Sequence, residues 1–315
     1  MQSTARLTRR RALVAGGATL TGLALPQTTL GPTTAAALRH RRGSLPVDAI
    51  EQILEARGSV SAGVLSVSLD RTDIGPVKGP LGVTFRPAFQ ISGDLTFQPL
   101  GNDLAFFNGD LALKPGELNP VIDTIQSGGL VFQAMHQHYF DLDPMVWFIH
   151  FRGVGRPRTL AKAIRRVLAA TATPLPQKPA SNPATPLDHA KLAKTLHGSS
   201  EIGDNGVVTV TVSRRDRIVI SDVQVSPKAN ISTNIAFLPL DDQGARAAAA
   251  PDFSMTAGEV GPVCRHMRTA GFEIGCLYNQ ETAEHPQLYF AHMIGVGDPQ
   301  KLAADIRAGL DHTAA

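Results

Sequence analysis

Gly116-Glu117-Leu118-Asn119-Pro120-Val121 and Gly258-Glu259-Val260-Gly261-Pro262-Val263 are one motif written twice. Subtracting 117 from 259 gives a spacing of 142 residues. Without a gap, the same spacing pairs Asp110 with Asp252, Gly129 with Gly271, Pro144 with Pro286, Phe148 with Phe290 and His150 with His292. It also pairs Gly153-Val154-Gly155 with Gly295-Val296-Gly297, and continues through Leu160/Leu302, Ile164/Ile306, Arg165/Arg307 and Leu168/Leu310. Upstream, across small gaps, Phe97-Gln98-Pro99-Leu100 answers Phe237-Leu238-Pro239-Leu240, Arg71-Thr72-Asp73 answers Arg214-Arg215-Asp216, and Pro46-Val47-Asp48 answers Pro186-Leu187-Asp188. Identities held in phase over such a length mark a tandem duplication. Copy one runs over 46–171 and copy two over 187–314; the linker 172–186, with prolines at 174, 176, 179, 183 and 186, reads as stiff and extended.

Each copy opens with a short helix (47–56; 187–196). A strand follows whose apolar residues alternate, Leu65, Val67 and Leu69 against Val208, Val210 and Val212. Further strands are expected over 89–97 and 104–113. A helix then starts at Glu117, where Leu118, Val121, Ile122 and Ile125 recur at helical spacing and Pro120 fits the first turn. Strands over 130–140 and 145–151 flank a polar turn ending in Pro144, and a last helix covers 158–170. This order predicts an α+β unit, an antiparallel sheet with helices on one face, and leaves room for a ferredoxin-like part.

The N-terminal stretch is set apart from this pattern. Arg9, Arg10 and Arg11 precede a mildly apolar run from Ala12 to Leu25, and Ala35-Ala36-Ala37 offers small residues for cleavage. Residues 1–37 therefore read as a twin-arginine-type export signal, placing the mature protein in the periplasm, the cell envelope or outside the cell. The run is shorter than the ~20 residues of a membrane-spanning helix, and no later stretch is long and apolar enough to span. The chain's net charge of +3 is 30 basic against 27 acidic residues, but the signal holds four arginines and no acid, so the mature part carries −1. No basic excess is left to neutralise phosphates, which argues against a nucleic-acid partner. Cys264 and Cys276 fall in apolar phase on a helix and a strand and read as free thiols.

Glu117, His136, His138 and His150 form the best candidate centre. His136 and His138 are two apart on one strand and share a face, expected to be the helix-covered face of Phe132 and Ala134. A hairpin turning at 141–144 brings His150 beside His136, and the strand's return carries them toward the helix start at Glu117. Three imidazoles and a carboxylate suit Zn²⁺ or another divalent metal that prefers imidazole. Other readings stand beside this one: core histidines with satisfied nitrogens, a helix-start role for Glu117, or solvent-facing His136 and His138. Copy two has Tyr278 and Gln280 where copy one has His136 and His138, so one site per chain is expected. Gly153-Val154-Gly155 reads as a turn, and Arg71 with Asp73 as a repeated structural ion pair. A Gly-x-Ser-x-Gly elbow, a P-loop and a His-Glu-x-x-His motif are absent from the sequence, which removes support for serine or phosphoryl chemistry.

The Gly-Glu-Leu-Asn-Pro-Val start, Met135-His136-Gln137-His138, Phe148-Ile149-His150-Phe151 and the Arg-Thr-Asp segment together resemble the LppY/LpqO-like family of bacterial exported proteins over about residues 46–312. The resemblance implies an envelope location and no established activity. Its named members are lipoproteins, whereas here no cysteine follows the signal core. Two functions are open at this point. One is a metal-dependent hydrolase in which His136, His138 and His150 hold the metal and Glu117 is a fourth ligand or the base. The other is a non-catalytic module that binds a small molecule or envelope component in the groove between the copies. Replacing Arg9 and Arg10 by lysine is expected to leave the precursor in the cytoplasm, read by fractionation; undiminished export would remove the twin-arginine reading.

Overall fold

The structure, a computed structural model, describes residues 44–178 and 184–315; the expected export signal and the middle of the linker lie outside them. Copy one contains α1 (Val47–Leu54), β1 (Ser59–Ser61), β2 (Val64–Asp70), β3 (Ser92–Gly101), β4 (Leu104–Leu113), α2 (Leu118–Ser127), β5 (Val131–His136), β6 (Trp147–Gly155) and α3 (Pro157–Ala169). Copy two repeats this with α4 (His189–Leu196), β7 (Ser199–Ile202), β8 (Val208–Val212), β9 (Thr233–Pro239), β10 (Ala247–Thr256), α5 (Ala257–Thr269), β11 (Glu273–Ile274), β12 (Leu288–Gly297) and α6 (Pro299–Leu310). The two six-stranded sheets have the same order, β1-β2-β3-β4-β6-β5 and β7-β8-β9-β10-β12-β11, with antiparallel neighbours throughout. Strand β4 is thus parallel to β5 with β6 between them, a split β-α-β unit. This is the ferredoxin-like part expected from the sequence, with its outer strand β3 supplied from upstream of the unit.

One face of each sheet is covered by its own helices. Leu65, Val67 and Leu69 of β2, Leu95 and Phe97 of β3, and Ile149 and Phe151 of β6 pack with Ile164, Val167 and Leu168 of α3. Their counterparts in copy two pack on Leu302, Ile306 and Leu310 of α6. Gly153-Val154-Gly155 lies inside β6 rather than in the expected turn. A side chain at Gly153 would run into Leu130 and Leu160, so this strand needs glycine for its helix to pack closely.

The other face of each sheet is covered by the other copy. Two apolar clusters mix residues of both. Phe85, Phe89, Tyr139 and Phe148 meet Val207, Ala236, Leu238 and Ile294 in one, and Phe106 meets Ile218, Ile220, Ile231 and Phe290 in the other. The described residues are therefore layered helix, sheet, sheet, helix. The 142-residue spacing equates Tyr139 with Glu281, yet the two do different work. Tyr139 enters an apolar slot of copy two, donates to the Met293 carbonyl at 3.0 Å and passes over Gly275, where any side chain would collide with it. Glu281 enters a polar slot of copy one, where Asn108 donates to it at 2.6 Å and Gln133 takes the Thr282 amide.

An ion cluster ties each copy together. Arg71 is fully buried; it donates to Asp73 at 2.8 and 3.0 Å, to Glu117 at 2.9 Å and to the Ala112 carbonyl. Glu117 also accepts the amides of Lys114 and Ala172 at 2.8 Å. Copy two repeats the arrangement with Arg214, Asp216 and Glu259, and Glu259 accepts from Thr256 and Ala314. Burial pushes the Glu259 carboxyl up, but its bonds from Arg214 and Thr256 outweigh this and hold it below the usual range. The sequence-expected pair of Arg71 and Asp73 is thus one part of a larger cluster centred on Arg71. Removing the glutamate leaves a buried guanidinium with one carboxylate instead of two, so Glu117→Ala and Glu259→Ala are each expected to lower unfolding stability by about 3 kcal/mol. Denaturant titration checks this, and a loss below about 1 kcal/mol would show the cluster to be dispensable.

Candidate metal centre between the two sheets

The placement of the histidines turns on one bulge. Strand β5 pairs Phe132 with Phe151, skips Gln133, and then pairs Ala134 with His150 and His136 with Phe148. The extra residue reverses the alternation. Phe132 packs toward the helices, while Ala134, His136 and His150 face the opposite sheet. The expectation that His136 and His138 share the helix-covered face with Phe132 is therefore corrected. The alternation was read through a position where the strand inserts a residue.

On the inner face the copy-one histidines meet copy two. The His136 ring lies 3.5 Å from Tyr278, 5.0 Å from His150, 5.1 Å from His138 and 5.7 Å from His292, centroid to centroid. His138 is stacked between Phe148 at 3.3 Å and His292 at 3.5 Å. One ligand atom from each of His136, Cys276 and His292 lies within 4.8 Å of the others. Both ring nitrogens of His136 and of His150, and Nδ1 of His292, are buried without a hydrogen-bond partner. Orphaned buried polar atoms are costly and call for an explanation.

The protonation states follow from burial. His150 and His292 are pushed down to about 3 by burial, and His136 and His138 fall well below their ordinary value for the same reason. All four imidazoles are neutral at pH 7, the form that binds metals. The 3.8 Å approach of His292 Nε2 to Asp252 is therefore not an ion pair at that pH. His138 Nδ1 sits 2.9 Å from the Gln90 carbonyl oxygen, so this nitrogen carries the proton. The Tyr278 hydroxyl lies 3.4 Å from the Gln280 side-chain oxygen and at the same distance from His292 Nε2. Burial also raises the Cys276 thiol to about 12 and the Tyr278 phenol well above its ordinary value, so both are protonated at neutral pH.

Two further carboxyl groups flank the rings. Asp110 and Asp252 are the strand partners of His150 and His292. Burial, then the neighbouring Asp94, pushes Asp110 up to about 8. Burial and Asp110 raise Asp252 as well. A cleft of about 360 Å³, lined by Asp110, Asp252, His138 and His292 among others, lies between the sheets.

Of the residues expected at a centre, the structure brings His136, His138 and His150 together and separates Glu117 from them. Glu117 is corrected as metal ligand and as base: its oxygens are taken up by Arg71 and two backbone amides. Copy two, expected to have lost half the ligands, instead supplies His292 and Cys276 to the same centre. The signal for these was the spacing itself, since 142 residues carry His150 onto His292 and Ala134 onto Cys276. The donor set fits a metal. Tetrahedral zinc sets nitrogen and sulfur ligands about 3.3–3.8 Å apart, so atoms within 4.8 Å of each other need to close by about 1 Å.

Asp110 also sets a pH dependence. Its unfolded carboxyl ionises near ~3.9, while the folded one holds its proton to about 8. The folded state therefore binds the extra proton between these values, and stability falls as pH rises from about 4 to about 8. In metal-free protein, Asp110→Asn is expected to match wild type in melting temperature at about pH 4 and to exceed it at about pH 8. Equal melting curves at both values would place the Asp110 carboxylate in water.

No curated protein matches this chain. Among solved structures, EtuB from Clostridium kluyveri is similar at 11% identity, over 82% of this chain and 91% of that one, with a TM-score of 0.19, too low to imply a common fold. A family model described as a Domain of Unknown Function, DUF1259, matches residues 48–170 and again 190–312. With both copies matched over most of their length, the chain belongs to the DUF1259 family and carries its domain twice in tandem.

Proposed function

We propose that this protein holds one zinc-class divalent ion between its two sheets, through His136, His292 and Cys276 with His150 adjoining. The observation that carries this reading is the set of five buried imidazole nitrogens without partners in one cluster. Imidazole and thiol donors favour zinc or copper over magnesium or calcium. The ion would supply Lewis-acid chemistry and an acidified water. The chain's own residues then have distinct tasks. Tyr278 and Asp252 flank His292, Gln90 fixes the tautomer of His138, and Asp252, raised by burial and by Asp110, keeps its own proton beside the cluster with one oxygen buried and unpartnered. This arrangement supports a metal-dependent hydrolase in the bacterial envelope. The twin-arginine-type signal and the LppY/LpqO-like resemblance support export, and folding before export lets a metal be loaded first. The groove between the copies equally serves a non-catalytic envelope binding module, a reading favoured by the hydroxyl and carboxyl side chains set along the cleft.

Elemental analysis of the untagged mature protein separates these. About one equivalent of metal per chain is expected in wild type, and loss of it in His136→Ala and Cys276→Ala. Glu117→Gln should retain it. Because the Cys276 thiol titrates at about 12, loading zinc into stripped protein at neutral pH should release a proton. Wild-type protein that takes up no metal from excess zinc would end the metal reading.

A further inference from the structure

The mixed apolar clusters seal the sheets together near β4, β6, β10 and β12, but the outer strands of both sheets present something else. On the face of β2 that looks across the gap, the alternation gives Ser66 and Ser68; on β8 it gives Thr209 and Thr211. These short hydroxyl side chains do not fill the gap, and the cleft of about 360 Å³ is the space left between them. That volume is at the low end of small-molecule sites, room for one or two sugar rings. Asp94 and Glu201 stand exposed on its walls, one from each copy, and Asp110 and Asp252 lie deeper. Among the described residues, the one cationic group lining it is Lys228, whose ammonium donates to Ser199 at 3.3 Å. At the floor stands His292, 5% exposed, whose Nδ1 is buried and has no hydrogen-bond partner.

This lining selects by chemistry. An anion finds a single ammonium to pair with, beside acidic side chains that offer it no positive charge. An apolar ligand would strip water from the hydroxyls and carboxylates without replacing its hydrogen bonds. A polyol satisfies both kinds of group, because its hydroxyls donate to carboxylates and accept from serine and threonine. We infer that the cleft between the two copies binds a neutral or amine-bearing carbohydrate of about disaccharide size. The inference extends the metal reading, since it names the class of molecule that reaches His292, but its test is separate.

Calorimetric titration of the full mature protein, zinc-loaded and metal-stripped, uses cellobiose, the glucosamine disaccharide and digalacturonate as probes. A neutral or amino disaccharide should saturate the protein with a sub-millimolar Kd in at least one metal state, and digalacturonate should not. Ser68→Trp and Thr209→Trp place bulk on opposite walls at exposed and half-exposed strand positions. Each should weaken binding at least about tenfold, or about 1.4 kcal/mol, with circular dichroism and metal content unchanged. The inference is overturned if neither disaccharide binds up to ~10 mM, a range that covers even weak sites. It is also overturned if digalacturonate binds best, or if both tryptophan variants bind like wild type. Sugar binding in a protein that takes up no metal would leave this inference standing and remove the metal reading; metal uptake without sugar binding would do the reverse.

Discussion

Each sheet has two faces and helices enough for one. The helix-covered faces are apolar by strict alternation, and they define the separate cores of the two copies. The remaining faces carry Asn108, Asp110, His150 and Arg152 on one side and Asp252 and His292 on the other, side chains that a single copy would leave in water. Face-to-face closure removes them from solvent. The histidine cluster, the lowered imidazole values and the raised carboxyls all follow from that closure, since burial is the largest cause in each case.

Within each copy, geometry is secured by groups that have no part in the cluster. Arg71 and Arg214 each fasten a strand end, a helix start and the chain beyond the last helix of a copy. Buried charges of this kind add little net stability over an apolar replacement, but they fix geometry where a slip would misplace the neighbouring strands. Arg71, just past the end of β2, reaches the Ala112 carbonyl of β4, two residues along that strand from Asp110, and Arg214 reaches Ser254 of β10, two residues from Asp252.

The duplication, the antiparallel sheet and most of the elements were legible because repeats and alternation are local properties of the chain. Strand β4 and helix α3 fall within a residue of their expected limits. The histidines were legible as a cluster and were assigned to the wrong face. A bulge at Gln133 adds one residue to a period of two, and nothing in the local pattern of Phe132, Ala134 and His136 announces it. Glu117 was drawn into the centre by proximity in an imagined sheet. Its partner Arg71 lies 46 residues away, a pairing that no local periodicity encodes. His292 and Cys276 were missed for a related reason: the copies were read as two separate sheets, whereas the centre exists only where they meet.

Divergence of the copies has left Tyr139 and Glu281 as unlike keys in unlike slots. Two halves of type one placed together would press a phenol ring against Asn108, Gln133 and Arg152. Two of type two would drive a carboxylate among Ala250, Gly275 and Ile294 with no donor to receive it. Self-pairing is thus penalised in both directions, and the tether between the halves keeps the permitted mate always at hand. The ancestral symmetry of the pair has become a hand and a glove, and neither half is any longer a spare for the other.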